Sequence, residues 1–524
     1  MPSFTSSVED TLESGDLAFQ PQPKLSPGHV NDWIIKDDDE PADVLLNPDE
    51  TVIGGTLPAL VKRMTPHVVT PELSFSSSFF MTFRLFTTPL DLADCLVKRW
   101  DMQVWHDRML VPIRLRILNF VKNWLESHWQ AGTDAPALVH LQFFVDQVPD
   151  GILKAASRKI GDLISTRRLR PESIHNKYAA VTISQATAPR SLDRTKSFDR
   201  MRSATPLPFG NGAASYASAN PPPAPMVGRS LYSTLRAGTF SAINVTDFDP
   251  LELARQLSVM ENKLYIAIQP QELLQLGKSG APPAVNVKAI TTLSTAITGL
   301  VTESVLSEYD IKKRTNLLKY YIKVAERALE LKNFSLLFSI LAALTSSTVL
   351  RLNKTWAGLN SKYRTKLEEL RKVTDYTRNY GEYRSRLRET EPAAIPFLGV
   401  YLTDITFCNG GNPSHRPSPV RSDVQLINFN KYRKLARIVF DMQRFQKAYN
   451  LLEINEAQHF LQFALRESRT SGDHKDLYRR SLLIEPRESS AEPASADTVK
   501  SRTDIFGWAA RSLGQTNTAN TVAA

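Results

Sequence analysis

The chain has 524 residues, of which 42% are hydrophobic and 23% are charged, a composition typical of globular proteins. Its two cysteines, Cys95 and Cys408, exclude a disulfide scaffold and a four-thiolate metal site, and they fit a reducing compartment. The net charge is +10, but residues 166–245 hold eleven Lys and Arg against three Asp and Glu, so eight of the ten charges lie in one stretch. A domain that tracks phosphates would concentrate its basic residues on a folded face, so we expect no nucleic-acid partner.

The first residues, MPSFTSSVED, lack the basic and apolar regions of a secretory signal. No window supplies the roughly 18 uninterrupted apolar residues that a membrane-spanning helix needs. The nearest stretch, residues 334–350, is interrupted by Ser and Thr. We interpret this stretch as a buried core helix.

Residues 1–50 are polar and lack a sustained hydrophobic period, which predicts a mostly disordered lead-in. Residues 51–165 predict a small all-α domain. Within it, apolar side chains recur at helical spacing along residues 111–129, and charged side chains fall mainly on the opposite face, a pattern typical of an amphipathic helix. A second helical pattern begins at Pro89, where a missing backbone N–H costs nothing.

Residues 166–245 are rich in Ser, Ala, Pro and Arg and show no apolar period. This composition predicts a disordered basic linker. Besides a solvated tether, two other roles for this linker remain open. Basic residues precede Ser173 and Ser197, as in kinase sites, and the positive charge would attract anionic lipid.

From residue 246 to about 485 one helical pattern follows another. Leu318, Ile322 and Ala325 share a face within residues 317–331, and a further long pattern runs from Leu426 to about Ala448. The strand–helix alternation of a parallel sheet is absent. Residues 486–524 form a polar tail that we predict to be disordered. A short apolar patch at 504–514 is a candidate contact for a membrane or a partner.

Catalytic signatures are incomplete. Residues 276–280, LGKSG, resemble the end of a phosphate-binding loop, but Glu272 stands where the loop needs its first glycine. The sequence contains no H-E-x-x-H, C-x-x-C or G-x-S-x-G, and its nine histidines lack metal-ligand spacing. We therefore predict no metal, no cofactor and no covalent chemistry, and the residues alone point to protein–protein binding.

Two blocks of the sequence resemble the Ras guanine-nucleotide exchange factors. The first contains GTLPALVKRMT at 55–65, SFFMTFRLFTTP at 78–89 and the helix at 111–129, and is similar to the family's Ras exchanger motif. The second opens with DFDPLELARQLSVMENKLYIAIQPQELL at 247–274 and closes with LINFNKYRKLARIVFDMQRFQ at 426–446. The arrangement is most similar to that of fungal members.

The resemblance implies an all-α fold. A helical exchanger-motif domain at 51–165 and a larger helical catalytic domain at 246–485, with a protruding helical hairpin, would be joined by the disordered basic linker. The implied function is to promote GDP release from a Ras-family small GTPase: the hairpin displaces one switch segment while a bowl on the helical core grips the other. The implied location is the cytoplasm, with recruitment to the inner face of a membrane through the linker or the tail.

By resemblance, the hairpin's first arm runs from about Pro396 to Asn412 and its second begins near Leu426. The implied GTPase-binding residues are Arg314, Thr345, Leu350, Tyr380, Tyr383 and Phe397 in the bowl, and Thr403, Asp404, Thr406, Phe407, Asn409 and Asn412 on the hairpin. Alternatives stay open: Tyr383 and Phe397 as core aromatics, Arg314 as a solvated charge, and Asp404 as a tie between the hairpin and the core.

Three departures from the family pattern support a second hypothesis, a catalytically weak or inactive scaffold that binds GTPases. Gly410 stands where many members carry an acidic residue near the hairpin tip, Thr345 where Asn is frequent, and Leu300 where Trp is frequent. The first hypothesis predicts that charge reversal at Arg314, or deletion of residues 406–411, abolishes exchange without unfolding the chain.

Overall fold

The computed structural model describes residues 42–67, 69–101, 107–169, 221–278, 280–470 and 474–486. The predictions for residues 1–41, for the central linker at 170–220 and for the tail at 487–524 lie outside these residues. Ser173, Ser197 and the 504–514 patch are among the predictions that lie outside them.

The N-terminal unit is helical, as predicted. Thr56 and Thr88 accept hydrogen bonds from the backbone N–H groups of Ala59 and Asp91 and so cap two helices that carry proline in their first turn. Its helices are α1 (Leu57–Met64), α2 (Leu73–Thr82), α3 (Pro89–Trp100), α4 (Asp107–Ser127), α5 (Ala131–Asp134), α6 (Ala137–Asp146) and α7 (Lys154–Leu169). The predicted apolar face of α4 is confirmed as core, because Ile113, Ile117, Val121, Trp124 and Leu125 are buried.

The second unit is a larger helical assembly, which confirms the predicted fold class. Its first helices are α8 (Arg229–Ala237), α9 (Pro250–Ala267), α10 (Pro270–Leu274), α11 (Val285–Leu306), α12 (Ile311–Glu330), α13 (Phe334–Leu344) and α14 (Ser347–Leu350). They are followed by α15 (Asn353–Ala357), α16 (Ser361–Val373), α17 (Thr377–Glu389), α18 (Leu398–Gly411), α19 (Phe429–Gln443), α20 (Asn455–Thr470) and α21 (His474–Ile484).

The centre of this unit is α11, which packs against α9, α13 and α20. It is the one helix in the described residues long and apolar enough to span a membrane, with 22 residues and a mean hydropathy of 1.3, but more than half of that stretch is buried. The sequence scan missed it because Thr, Ser and Gly interrupt its apolar run. The predicted core helix at 334–350 is confirmed for its first part, the buried helix α13, but the chain turns at Thr345 and continues as the separate helix α14.

A small sheet joins the two units, which sequence reasoning missed. Its strands are β1 (Val44–Leu46), β2 (Val52–Gly55), β3 (His415–Pro417) and β4 (Gln425–Ile427), in the order β1-β2-β4-β3. All three pairings are antiparallel, and Gly55 faces Ile427 where β2 meets β4. The predicted lead-in at 1–50 is therefore wrong for its last residues, because β1 is held in this ladder.

Aromatic packing extends the junction between the units. The rings of Phe75 in α2 and Phe429 in α19 have centroids 4.8 Å apart, as do those of Phe86 and Tyr432. The guanidinium of Arg433 donates to the carbonyl of Val52 in β2. The N-terminal unit therefore holds α19 through both backbone pairing and ring packing.

The prediction of disorder over 166–245 is wrong at both ends of the linker. Residues 166–169 complete α7, and residues 229–237 form α8, which packs against α20. The ring of Phe240 lies 6.1 Å from that of Phe460, and Leu235 is buried. The apolar side chains of α8, Leu231 and Leu235, lie one turn apart and face the second unit, a short period hidden by the polar composition of the rest of the linker.

The closest approach in the sheet occurs at Gly54. A Cβ atom added there would lie 2.8 Å from the backbone oxygen of Ile427, a distance that requires the strands to move apart. We expect G54A to lower the free energy of unfolding by about 1–3 kcal/mol, measured by urea denaturation. In the control G132A, the new Cβ meets nothing within 4 Å, and no loss is expected. Equal losses in both variants would contradict this packing.

Candidate functional site

The hairpin consists of α18, a connecting loop and α19. The first arm, α18, ends at Gly411, one residue before the implied limit at Asn412, and the side-chain amide of Asn412 donates to the Cys408 carbonyl at 2.9 Å. The loop does not stay irregular but forms β3 and β4. The second arm therefore begins at Phe429 rather than near Leu426, because Leu426 lies in β4.

Several hydrogen bonds join the arms in antiparallel order. The Tyr401 hydroxyl donates to the Asp441 carboxylate at 3.0 Å, and the Cys408 thiol donates to the Lys431 carbonyl at 3.8 Å. Asn409 is half-buried, and its carbonyl accepts from the Lys431 ammonium at 3.3 Å. The arms thus form one unit, and α19 also packs against α2 and β2 of the N-terminal unit.

Phe397 forms the root of the hairpin and faces inward. Its ring stacks on Phe338 of α13 with centroids 4.2 Å apart, and only 4% of the residue is exposed. Its backbone N–H donates to the buried hydroxyl of Tyr383 at 2.9 Å. A Cβ at Gly399 would lie 2.6 Å from the Phe397 ring, so glycine is required there. The core-aromatic alternative agrees with this burial for both Phe397 and Tyr383, and contact of Phe397 with a GTPase stays a prediction.

Tyr380 lies at the edge of this aromatic cluster. It is half-buried, with its ring 6.0 Å from that of Phe338. It closes a left-handed turn of Arg378, Asn379 and Tyr380, whose φ angles are 50°, 54° and 60°. Such conformations are costly for residues other than glycine and persist only when surrounding contacts hold them.

Asp404 ties the first arm to α17. Its two carboxylate oxygens accept from the guanidinium of Arg384, each at 2.8 Å. The hydrogen bonds to Asp404 raise the pKa of Arg384 above its ordinary value. A planar, bidentate pair of this kind fixes orientation as well as distance, so the alternative role of Asp404, holding the hairpin to the core, agrees with the geometry.

The outward face of α18 carries the exposed predicted residues. Thr403, Thr406, Phe407 and Gly410 recur at helical spacing on this face, and Phe407 is 73% exposed. The hydroxyls of Thr403 and Thr406 donate to the backbone carbonyls one turn earlier, so these threonines present mainly their methyl groups. Asn412 is half-buried and serves chiefly to close the helix.

Arg314 is not a surface residue, so the solvated-charge alternative is wrong, and contact of Arg314 with a GTPase stays a prediction without exposed area to support it. Its side chain has no exposed area and forms an ion pair with Glu485 at 2.9 Å. Its Nε donates to the Thr355 hydroxyl at 2.7 Å. Charge reversal at Arg314 would place two carboxylates together in the interior, so it would disrupt the local fold instead of testing GTPase contact.

Thr345 lies in the turn between α13 and α14, and Leu350 is the last residue of α14. Thr345 is half-buried, and its hydroxyl donates to the Leu341 carbonyl at 2.7 Å, while Leu350 is 41% exposed. Sequence reasoning missed three exposed apolar residues on neighbouring segments, Tyr309, Ile311 and Leu483. Tyr309 and Ile311 flank Asp310, whose carboxylate caps α12, and apolar residues beside a helix cap were the signal available for them.

Two family models match this chain: the RasGEF domain at residues 252–433 and the RasGEF N-terminal motif at residues 51–146. The chain belongs to the RasGEF family. Both arms of the hairpin begin inside the RasGEF domain, and the matched N-terminal motif contains β2, α2 and the phenylalanines that pack on α19.

The similarity extends to curated relatives. Over 496 residues the chain is 29% identical to cell division control protein 25 of Candida albicans. This match covers 90% of this chain and 33% of the relative. The corresponding protein of Saccharomyces cerevisiae is 26% identical over 88% of this chain and 28% of its own length. Ras guanine nucleotide exchange factor A of Dictyostelium discoideum is 28% identical to this chain, and the match covers 84% of this chain and 66% of the relative. The chain therefore spans about a third of the length of the two yeast relatives.

Beneath the hairpin root, the RasGEF domain buries a carboxyl group. Glu261 of α9 accepts hydrogen bonds from the Asn333 amide at 2.6 Å and the Ser335 hydroxyl at 2.9 Å. Burial raises its pKa to about 7, although both hydrogen bonds oppose this. Residue 333 also lies beside Ile395, just before the first arm. In the described residues, no group of three or more His, Cys, Asp or Glu is arranged to hold a metal ion.

Two phenylalanines near α18 provide a stability test for the root. F397A removes a ring stacked within the core, and we expect the free energy of unfolding to fall by about 3–5 kcal/mol. F407A truncates an exposed ring, and we expect a change within about 0.5 kcal/mol. Chemical denaturation of both variants measures the difference. If F407A destabilised the RasGEF domain as much as F397A, the inward and outward assignments would be wrong.

Glu261 predicts a pH dependence of stability. Its ordinary pKa is 4.5 and its folded value is about 7, so between these values the folded state holds a proton that the unfolded chain has released. Stability from this group is therefore lost as the pH rises from about 4.5 to 7, with no further loss above that. Relative to E261Q, the wild type should lose up to about 3 kcal/mol across this window. Urea denaturation at several pH values measures this; a constant difference would refute the prediction.

Proposed function

We propose that this chain is a guanine-nucleotide exchange factor that promotes GDP release from a Ras-family small GTPase. The observation that carries the proposal is the hairpin of a RasGEF-family chain, which presents an exposed stripe around Phe407 while its other contacts hold it in place. The names of the curated relatives, among them Ras guanine nucleotide exchange factor A, support the same assignment. Exchange requires no bond to be made or broken by the protein.

The mechanism is a competition between two ligands of the GTPase. A nucleotide bound near 1 pM is held by about 16 kcal/mol, so spontaneous release is slow. A protein that binds the nucleotide-free GTPase more tightly than the loaded form lowers nucleotide affinity, and nucleotide lowers its affinity by the same factor. Inserting the stripe of α18 beside the nucleotide site would supply this difference.

A wedge of this kind must resist displacement by the GTPase. The pair of Arg384 with Asp404, the stack of Phe338 with Phe397, and the strand pairing of β4 with β2 attach the hairpin at three separate places. Because these attachments come from α17, α13 and the N-terminal unit, the hairpin is preorganised before the GTPase arrives. Preorganisation lowers the ordering cost of binding.

The wedge acts by shape, with no free carboxylate directed at phosphate. Asp404 is the only acidic residue in α18, and Arg384 neutralises it. Gly410, near the end of the stripe, offers no side chain. The same observation supports a second candidate function, a scaffold that binds small GTPases with little or no exchange activity.

The domain limits, the partner and the location belong to the same proposal. We propose an exchanger-motif domain that begins near residue 42 and extends to about 169, the end of α7, and a catalytic domain that begins near residue 221 and extends to about 486. We also propose that the protein is cytoplasmic and is recruited to the inner face of a membrane through its basic linker or its tail. Sedimentation of the full chain with anionic and neutral vesicles tests recruitment; equal binding to both would refute it.

Release of a fluorescent GDP analogue from a panel of Ras-, Rap- and Ral-type GTPases decides between the two candidates. An active exchanger accelerates release from at least one of them, and excess nucleotide weakens its complex. Binding to a GTPase without acceleration would favour the scaffold. A complex equally tight at all nucleotide concentrations would refute exchange altogether.

Phe407 provides the sharpest test of the wedge. We expect F407A to slow catalysed release by about 10- to 30-fold, because a central aromatic contact contributes about 2 kcal/mol to many interfaces. F143A is the control, since Phe143 is 65% exposed on α6 of the N-terminal unit. The substitution is cleaner than deleting residues 406–411, which would also remove the buried Cys408. Equal rates for F407A and F143A would count against the wedge.

A further inference from the structure

A buried ionic cluster joins the last described helix to the middle of the RasGEF domain. We call it the C-terminal clasp; it consists of Arg314, Thr355 and Glu485. Arg314 binds one Glu485 oxygen at 2.9 Å, and the Thr355 hydroxyl donates to the same oxygen at 2.5 Å. The side-chain exposures of Arg314 and Glu485 are 0% and 6%. Glu485 lies beyond residue 433, where the family match ends.

Glu485 also caps a helix from a distance. The first residues of α15 lack a local side-chain cap. The backbone N–H groups of Lys354 and Thr355 instead donate to the two Glu485 oxygens at 2.9 and 3.0 Å. A carboxylate at a helix N-terminus satisfies donors that would otherwise be unpaired. These hydrogen bonds and the contacts with Arg314 and Thr355 together lower the pKa of Glu485, although burial opposes the shift.

Arg314 extends the cluster toward an exposed loop. One of its terminal nitrogens donates to the carbonyls of Glu308 and Tyr309, at 2.7 and 3.2 Å. This loop leads into α12 and carries the exposed side chains of Tyr309 and Ile311. The position of that loop is therefore set by a guanidinium that is itself paired with the carboxylate of Glu485.

A second arginine, Arg351, also holds the end of α21. Arg351 donates to the backbone carbonyls of Ser481 and Glu485. It directly follows Leu350, the exposed end of α14. The α14–α15 segment and the loop before α12 are thus both anchored to the end of α21, on the side of the molecule where Leu350 is exposed.

We propose that Glu485 is a positioning residue for GTPase binding. It sets the placement of the loop at 308–311 and of the α14–α15 segment, which present Tyr309, Ile311 and Leu350 to the GTPase. The proposal rests on the function proposed above. It implies that the binding surface is complete only with α21, which lies outside the family match at residues 252–433. The hairpin is anchored independently of α21, through Arg384, Phe338 and β2.

The test compares E485Q and E485A with wild type in the full chain, by GDP release at increasing GTPase concentrations. We expect KM to rise about tenfold in E485A, with kcat within about twofold, because the binding surface shifts while the wedge is intact. E485Q keeps the shape and one acceptor, so its KM should lie between those of wild type and E485A. A merely structural role would reduce the amount of folded protein, lowering the apparent kcat at constant KM, and would overturn the proposal.

Two further measurements keep the outcome unambiguous. E303Q is the matched control. Glu303 of α11 forms an ion pair at 2.8 Å with Arg480, which lies on α21 but outside the clasp. The KM of E303Q should equal that of wild type. Affinity for nucleotide-free GTPase, with thermal unfolding of each variant, gives a second readout.

If the wild type binds a GTPase but never accelerates GDP release, the exchange function is refuted. A Kd for the GTPase that is unchanged in E485A would then refute the positioning role of the clasp as well. A wild type that binds no GTPase refutes both.

Discussion

A projecting pair of helices cannot bury enough surface to fix its own direction, and the rest of this fold follows from that constraint. The arms α18 and α19 pack on each other and on neighbouring elements, so much of their orientation comes from outside the pair. It comes from the β2–β4 pairing, from rings of the N-terminal unit on α19, and from the Phe338–Phe397 stack at the root. The N-terminal unit is therefore part of the mechanical support of the hairpin, although it lies hundreds of residues away along the chain.

Three carboxylates that support the proposed site interact with groups of the protein itself and are not directed toward a partner. Asp404 is paired with Arg384, Glu485 with Arg314, and Glu261 is surrounded by uncharged donors. The outward stripe of α18 is left with threonine methyl groups, an aromatic ring and glycine. Recognition through such a face depends on shape and on burial of apolar area, which are only weakly sensitive to salt.

The helices were predictable from the sequence because their apolar period is local. The face of α4 and the end of α18 at Gly411 agree with the sequence patterns. The sheet was not predictable, since its strands have three or four residues each and pair across most of the chain. Short strands carry too little pattern for sequence reasoning to detect.

The candidate site was harder to predict than the fold, because exposure is decided by distant partners. An arginine on an amphipathic helix looks solvated until Glu485, 171 residues away, is placed beside it. Phe397 and Phe407 are both aromatic and lie ten positions apart, yet only the first has Phe338 and the space left by Gly399 to receive its ring. The family resemblance located the hairpin correctly, but burial separated its contact residues from its anchors.

The two buried thiols make site-specific labelling of the hairpin practical. Cys95 and Cys408 are both buried, and burial raises the pKa of Cys95 to about 11 and that of Cys408 above its ordinary value. Both therefore remain protonated and react slowly with maleimides near neutral pH. A single cysteine introduced at the exposed position 410 would accept a fluorophore or spin label selectively, without removing either native residue, and would report hairpin insertion in real time.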